Sequence, residues 1–156
     1  MIGSDAGRST VHASAVTIGE AGVLIRGASG IGKSALAFGL ISARPGRCRL
    51  IADDRVRLSA HHGRLVAFAP AEIAGLIEVR GQGVVSLPYL SPAVIRLVVD
   101  MVAAAEAPRM PERGESMTML AGVSLPRLAL AAGSLDGAVR VAFAAERLDY
   151  GSAGRR

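Results

Sequence analysis

At 156 residues the chain is about one domain, and 51% apolar residues give it the material for a real core. That core must be aliphatic, since the chain has no Trp, two Tyr and three Phe. The formal charge of +5 comes from scattered arginines with no basic block or aromatic interleaving, which argues against nucleic acid and suits an acidic partner or a polyphosphate ligand.

In chain order, MIGSDAGRST has neither the charged start nor the apolar run of a signal peptide. The lone Cys48 permits no internal disulfide, and both features predict a cytoplasmic protein. His12 comes just before the first predicted strand, AGVLIRG (21–27), a short apolar run ending in glycine. KSALAFGLISAR (33–44) has helical spacing and is closed by Pro45 and Gly46. Between them, GASGIGKS fits G-x-x-x-x-G-K-[ST] at every fixed position, in the strand–loop–helix setting that a phosphate-binding loop needs.

RLIADDRVRL (49–58) reads as the next strand, with Asp53 and Asp54 at or just past its apolar stretch. SAHHGRLVAFAP (59–70) predicts a hairpin turning near 61–63, and AEIAGLIEVRGQGVVSL (71–87) a second glycine-bearing turn. AVIRLVVDMVAAAEA (93–107) is too short and too charged to span a bilayer, and reads as a buried strand running into a helix. APRMPERGES (107–116) is a polar loop, the expected mobile element. SLPRLALAA (124–132) and AVRVAFAAE (138–146) read as two final strands, and 151–156 as a frayed tail. The predicted fold class is α/β, one domain over 1–150, a mixed sheet with flanking helices.

The chemistry starts at the glycine loop. Its backbone N–H groups, with the positive end of the following helix, would face phosphates from Gly27, Ala28, Ser29, Gly30, Ile31, Gly32, Lys33 and Ser34. Lys33 is the only lysine beside 17 arginines, and it stands where a compact ammonium is needed in place of a planar guanidinium. Ser34 would ligate Mg²⁺. A P-loop enzyme needs a carboxylate on a neighbouring strand for the metal's water shell, and a kinase would need another for the acceptor proton; Asp53 and Asp54 follow Lys33 by about one helix and one strand. That short spacing argues against small GTPases and ABC-type ATPases; the competing reading is a turn pair with Asp54 bridged to Arg55. Glu78 and Arg80, two residues apart, share one strand face and could serve as metal ligand and phosphate clamp, or form an exposed ion pair. His61 and His62 are adjacent and cannot readily converge on one ion.

GASGIGKS, LIADDRV and IEVRGQG, with a histidine ahead of the first strand, together resemble the catalytic domain of HPr kinase/phosphorylase, over about residues 10–127. The resemblance implies a P-loop kinase domain with a phosphoenolpyruvate-carboxykinase-like core, and ATP-dependent phosphorylation of a serine on an HPr-type phosphocarrier. Carried over by position, it makes Lys33 the β- and γ-phosphate contact, Ser34 and Glu78 the Mg²⁺ ligands, and Asp54 the base, with Asp53 beside it. His12 and Arg109 match a histidine and an arginine near the active site. The family's hexamers imply a homo-oligomer.

The chain departs from the family pattern at Ala35, where Glu is usual, and at Gln82, where Leu is usual. It also carries AAGSLDGA (131–138) in place of a Pro-Gly-Arg-Asn segment linked to the reverse reaction, and the family's separate N-terminal domain is expected to be absent. It thus resembles the short, catalytic-domain-only form of α-proteobacteria. These departures predict weak or absent phosphorylase activity. They also keep open an alternative, a nucleotide-sensing module that binds ATP and a phosphocarrier with little phosphotransfer.

Overall fold

The computed structural model describes residues 8–150, so the tail expected over 151–156 lies outside the described residues. The strands are β1 (Arg8–His12), β2 (Ser14–Ile18), β3 (Ala21–Arg26), β4 (Cys48–Ala52), β5 (Arg55–His61), β6 (Arg64–Phe68), β7 (Leu76–Val79), β8 (Gly83–Ser86), β9 (Ala93–Val102), β10 (Met117–Leu120) and β11 (Val123–Ala131). Two helices, α1 (Lys33–Ala43) and α2 (Gly137–Tyr150), accompany them.

β9 organises the main sheet. Along one edge it runs parallel to β3. Along the other, its first residues pair antiparallel with β6 and its last five pair parallel with β11, so the sheet forks there. The continuous order is β1-β5-β6-β9-β3-β2-β4, with β10 added on β11 and β7-β8 a separate hairpin. Strand alternation then sorts the aliphatic residues into two cores. Val16, Val23, Ile25, Leu50 and Val99 face α1 and α2, whereas Ala15, Leu24, Ile51, Leu65 and Val98 face the curled half formed with β5 and β6. This is why AGVLIR reads as an unbroken apolar run: both of its faces are buried.

Four sequence expectations change. The stretch 49–58 is two strands, because the chain breaks at Asp53–Asp54 and Asp54 adopts a left-handed φ of 67°. Asp tolerates that conformation better than most residues. Two strands, β1 and β2, precede AGVLIRG, so His12 ends a strand and does not merely precede one. After β9 only a single 3₁₀ turn, Ala104–Glu106, forms in place of the expected helix. Pro108 keeps its predecessor out of the α region, leaving too few residues to nucleate a helix.

The fourth change is AVRVAFAAE, which is helical. Val139, Val141 and Phe143 mimic strand alternation, but Val141, Ala142 and Ala145 form the buried stripe while Val139 and Phe143 are exposed. The loop 107–116 also has more structure than expected. Glu112 and Glu115 form a capping box on the 3₁₀ turn Arg113–Ser116, and Arg127 Nη1 donates to the Glu115 carbonyl at 3.1 Å. No helix is long and apolar enough to cross a membrane among the described residues.

At the far end of β9, Asp100 accepts two hydrogen bonds from Arg26, at 2.7 and 2.8 Å, and one from Arg127 Nε. This clamp ties β3, β9 and β11 together immediately before Gly27. Burial pushes the Asp100 carboxyl up, but the bonds and charges of Arg26 and Arg127 outweigh it and hold the group below the usual carboxylate range. Its stabilisation is therefore complete above the unfolded value of about 4 and is lost as pH falls through the lower folded value. Asp100→Asn should cost about 2 kcal/mol at neutral pH. In denaturant unfolding the gap to wild type should hold from pH 7 to 5 and close below about pH 4. A gap that ignores pH would show that the carboxylate charge is not what holds the clamp.

Candidate active site

The site forms where β3 gives way to α1 and where β2 meets the end of β4. Gly27 leaves β3 packed so tightly over β9 that an added Cβ would lie 2.8 Å from Ile31 Cγ2 and 3.0 Å from the Met101 carbonyl oxygen. Gly30 and Gly32 take positive φ, and Gly32 caps α1 with no side chain bonded to the first-turn N–H groups. Those groups are left to face the loop, which is the arrangement that receives anions. Lys33 is 6% exposed, and its Nζ donates to the carbonyls of Gly27 and Ala28 at 2.8 and 3.0 Å.

Asp53 is 5% exposed and densely bonded. Its Oδ1 accepts the Ser14 hydroxyl at 2.6 Å and the Ser34 hydroxyl at 2.8 Å. Its Oδ2 lies 3.0 Å from Ser34 Oγ and 3.4 Å from the Glu78 backbone N–H. Asp54 points the other way: its Oδ1 is 2.9 Å from His12 Nε2, and both side chains are more than half exposed. Asp54 thus pairs with His12 and not with Arg55.

A cavity of about 780 Å³ joins these groups. His12, Ser14, Asp54 and the loop from Ser29 to Ala35 line it together with Glu78, Val79, Arg80 and Gln82. Glu78 and Arg80 both reach it from the β7–β8 hairpin, and no ion pair joins them among the described residues. Arg109 is exposed on the 107–112 segment, outside the lining. Ser14, the first residue of β2, escaped the sequence reading. His61 sits apart, with Nε2 3.0 Å from Ser59 Oγ.

The groups present fit a magnesium nucleotide. Mg²⁺ takes one or two protein oxygens and completes its shell with water and phosphate, so it needs no cage of carboxylates. Ser34 and Asp53 bring oxygens together beside the loop, and Glu78 lines the same cavity.

The family model described as "HPr Serine kinase C-terminal domain" matches residues 5–131. The chain belongs to that family. An HPr kinase/phosphorylase of Limosilactobacillus reuteri is 38% identical over 134 residues, covering 79% of this chain and 41% of the relative. One of Lactobacillus acidophilus is 39% identical over 103 residues, covering 61% of this chain and 31% of the relative. The chain thus spans less than half the length of these curated relatives. The solved HPr(Ser) kinase/phosphatase of Coxiella burnetii superimposes with a TM-score of 0.80 at 22% identity, covering 94% of this chain and 99% of that one. The HPr kinase fold is therefore shared, with its curled mixed sheet and two helices.

Within this fold the glycine loop makes a differential prediction. Gly27→Ala forces its Cβ into Ile31 and Met101, while the Cβ of Gly30→Ala meets nothing within 4 Å and only strains a φ of 79°. Denaturant unfolding should give a loss of about 2–3 kcal/mol for Gly27→Ala and about 1 kcal/mol for Gly30→Ala. Equal losses would mean that the close approach to β9 is not constraining.

Proposed function

We propose that this chain is an ATP-dependent serine kinase acting on an HPr-type phosphocarrier protein. The observation that carries this reading is the single cavity with a phosphate-binding loop on one side, its Ser34 bonded to Asp53, and a His12–Asp54 pair at its mouth. On this reading the fold is a P-loop kinase with a phosphoenolpyruvate-carboxykinase-like core, one catalytic domain over 1–150, working in the cytoplasm as a homo-oligomer. Neither nucleic acid nor membrane is a partner.

The N–H groups of the loop and of the first turn of α1 hold the β- and γ-phosphates, with Lys33 turned from its loop carbonyls towards them. Ser34 and Glu78 would hold Mg²⁺, with Asp53 fixing the Ser34 hydroxyl, and the bound ion would supply charge neutralisation on the triphosphate. Asp54 takes the proton of the acceptor serine as its oxygen bonds to the γ-phosphorus and the bond to ADP breaks. His12 holds Asp54 in place, and Arg80 steadies phosphate oxygens from the β7–β8 turn. Arg109 joins the site if its loop folds over the cavity.

Attack of inorganic phosphate on a phosphoserine needs further positive charge. No residue of 131–138 reaches the cavity, so dephosphorylation is weak or absent. A second reading, a sensing module with little phosphotransfer, draws support from Ala35, which leaves the cavity wall without a carboxylate at that point.

The test is intact mass of an HPr-type protein from the same organism after incubation with this chain, ATP and Mg²⁺. One phosphate mapped to serine, and its loss by at least 100-fold with Lys33→Ala, is expected. ATP binding without transfer would favour the sensing module. Rapid release of phosphoserine-HPr in phosphate buffer would overturn the claim about the reverse reaction.

A further inference from the structure

Ser14 is the site residue with no role in the chemistry above, and the fold places it with some care. β2 and β4 pair as Ile18↔Cys48, Thr17↔Arg49 and Val16↔Leu50, and then slip by one residue to Ala15↔Ala52. One step further along this shifted register sets Ser14 opposite Asp53. Without the bulge Ser14 would face Ala52, and Asp53 would face Ala13. Bulges re-aim side chains in this way beside functional sites. The result is a 2.6 Å bond from a serine 1% exposed to a carboxylate 5% exposed.

A hydroxyl carries one proton and two lone pairs. Ser34 gives its proton to Asp53, so its lone pairs remain for a cation in the cavity. That orientation lasts only while Asp53 keeps its rotamer. Apart from Ser34 itself, among the described residues Oδ2 is held by the Glu78 N–H at a long 3.4 Å and Oδ1 by Ser14 at 2.6 Å. Ser14 is therefore the firm anchor of the carboxylate.

We propose that Ser14 is a positioning residue for the divalent cation: by fixing Asp53 it keeps the Ser34 oxygen turned towards the metal. This rests on the kinase reading of the same cavity. Partners one shell behind a metal ligand change metal affinity by about 10–100-fold when removed, and about tenfold is expected for Ser14→Ala.

Two measurements on the whole chain test it: Mn²⁺ binding in the presence of a non-hydrolysable ATP analogue, followed by electron paramagnetic resonance, and the Mg²⁺ dependence of phosphotransfer. Ser14→Ala should weaken Mn²⁺ binding and raise half-saturating Mg²⁺ by about tenfold, and Ser14→Thr, which keeps the hydroxyl, should restore both to within about threefold. Ser14→Cys keeps the volume with a weak donor and should follow Ala, giving the reading if the Ala variant unfolds. A wild-type chain that transfers phosphate, with Ser14→Ala and Ser14→Cys within twofold of it in both measurements, would overturn the positioning role alone. A wild-type chain that binds no Mn²⁺ with nucleotide would overturn the kinase reading and this role together.

Discussion

The position of β9 is the constraint on which the rest of the molecule depends. It is paired along its whole length to β3 and β11 or β6, and its alternating residues enter both cores. Because β3 runs parallel to it, the two strands end side by side, and the glycine loop springs from β3 directly over Met101. The Asp100 clamp sits at this junction, joining the residue before Gly27 to β11 and, through Arg127, to the turn at Glu115. The geometry of the loop is thus set by strand packing beneath it, while its own residues are left free to face a ligand.

The second element of the site depends on an irregularity. A regular β2–β4 ladder would place Asp53 against Ala13, where its charge would have no side-chain donor. The bulge exchanges that for two serine hydroxyls, one from β2 and one from α1, so a single carboxylate joins sheet and helix. The donors to Asp53 among the described residues are neutral, although the group is nearly buried.

Much of this was legible because it is local. AGVLIRG, GASGIGKS and KSALAFGLISAR fall on β3, the glycine loop and α1 to within a residue or so, since glycine spacing and apolar period both act over a few positions. The two hairpins were legible for the same reason. What escaped is set by tertiary structure. The left-handed turn at Asp54 divides one apparent strand into two, and Val139, Val141 and Phe143 alternate although their helix buries a different stripe. His12, Lys33, Asp54, Glu78 and Arg80 converge on one cavity, but Ser14 meets Asp53 only through the bulge, and no local pattern records a bulge.

The charges lining the cavity bear on the direction of the proposed reaction. Lys33 and Arg80 supply positive charge, and Asp54 and Glu78 supply negative charge, with His12 between them. The protein lining is therefore close to neutral, and charge for a triphosphate must come with its metal. That balance suits one polyanion meeting a neutral serine hydroxyl. It does not suit inorganic phosphate meeting a phosphoserine, where two anions must be held together. The link from β11 to α2 adds no cation to this lining. It is drawn close to the sheet by the bond from Ala132 N–H to the Val102 carbonyl and by Ser134 on Ala131, and it carries no arginine.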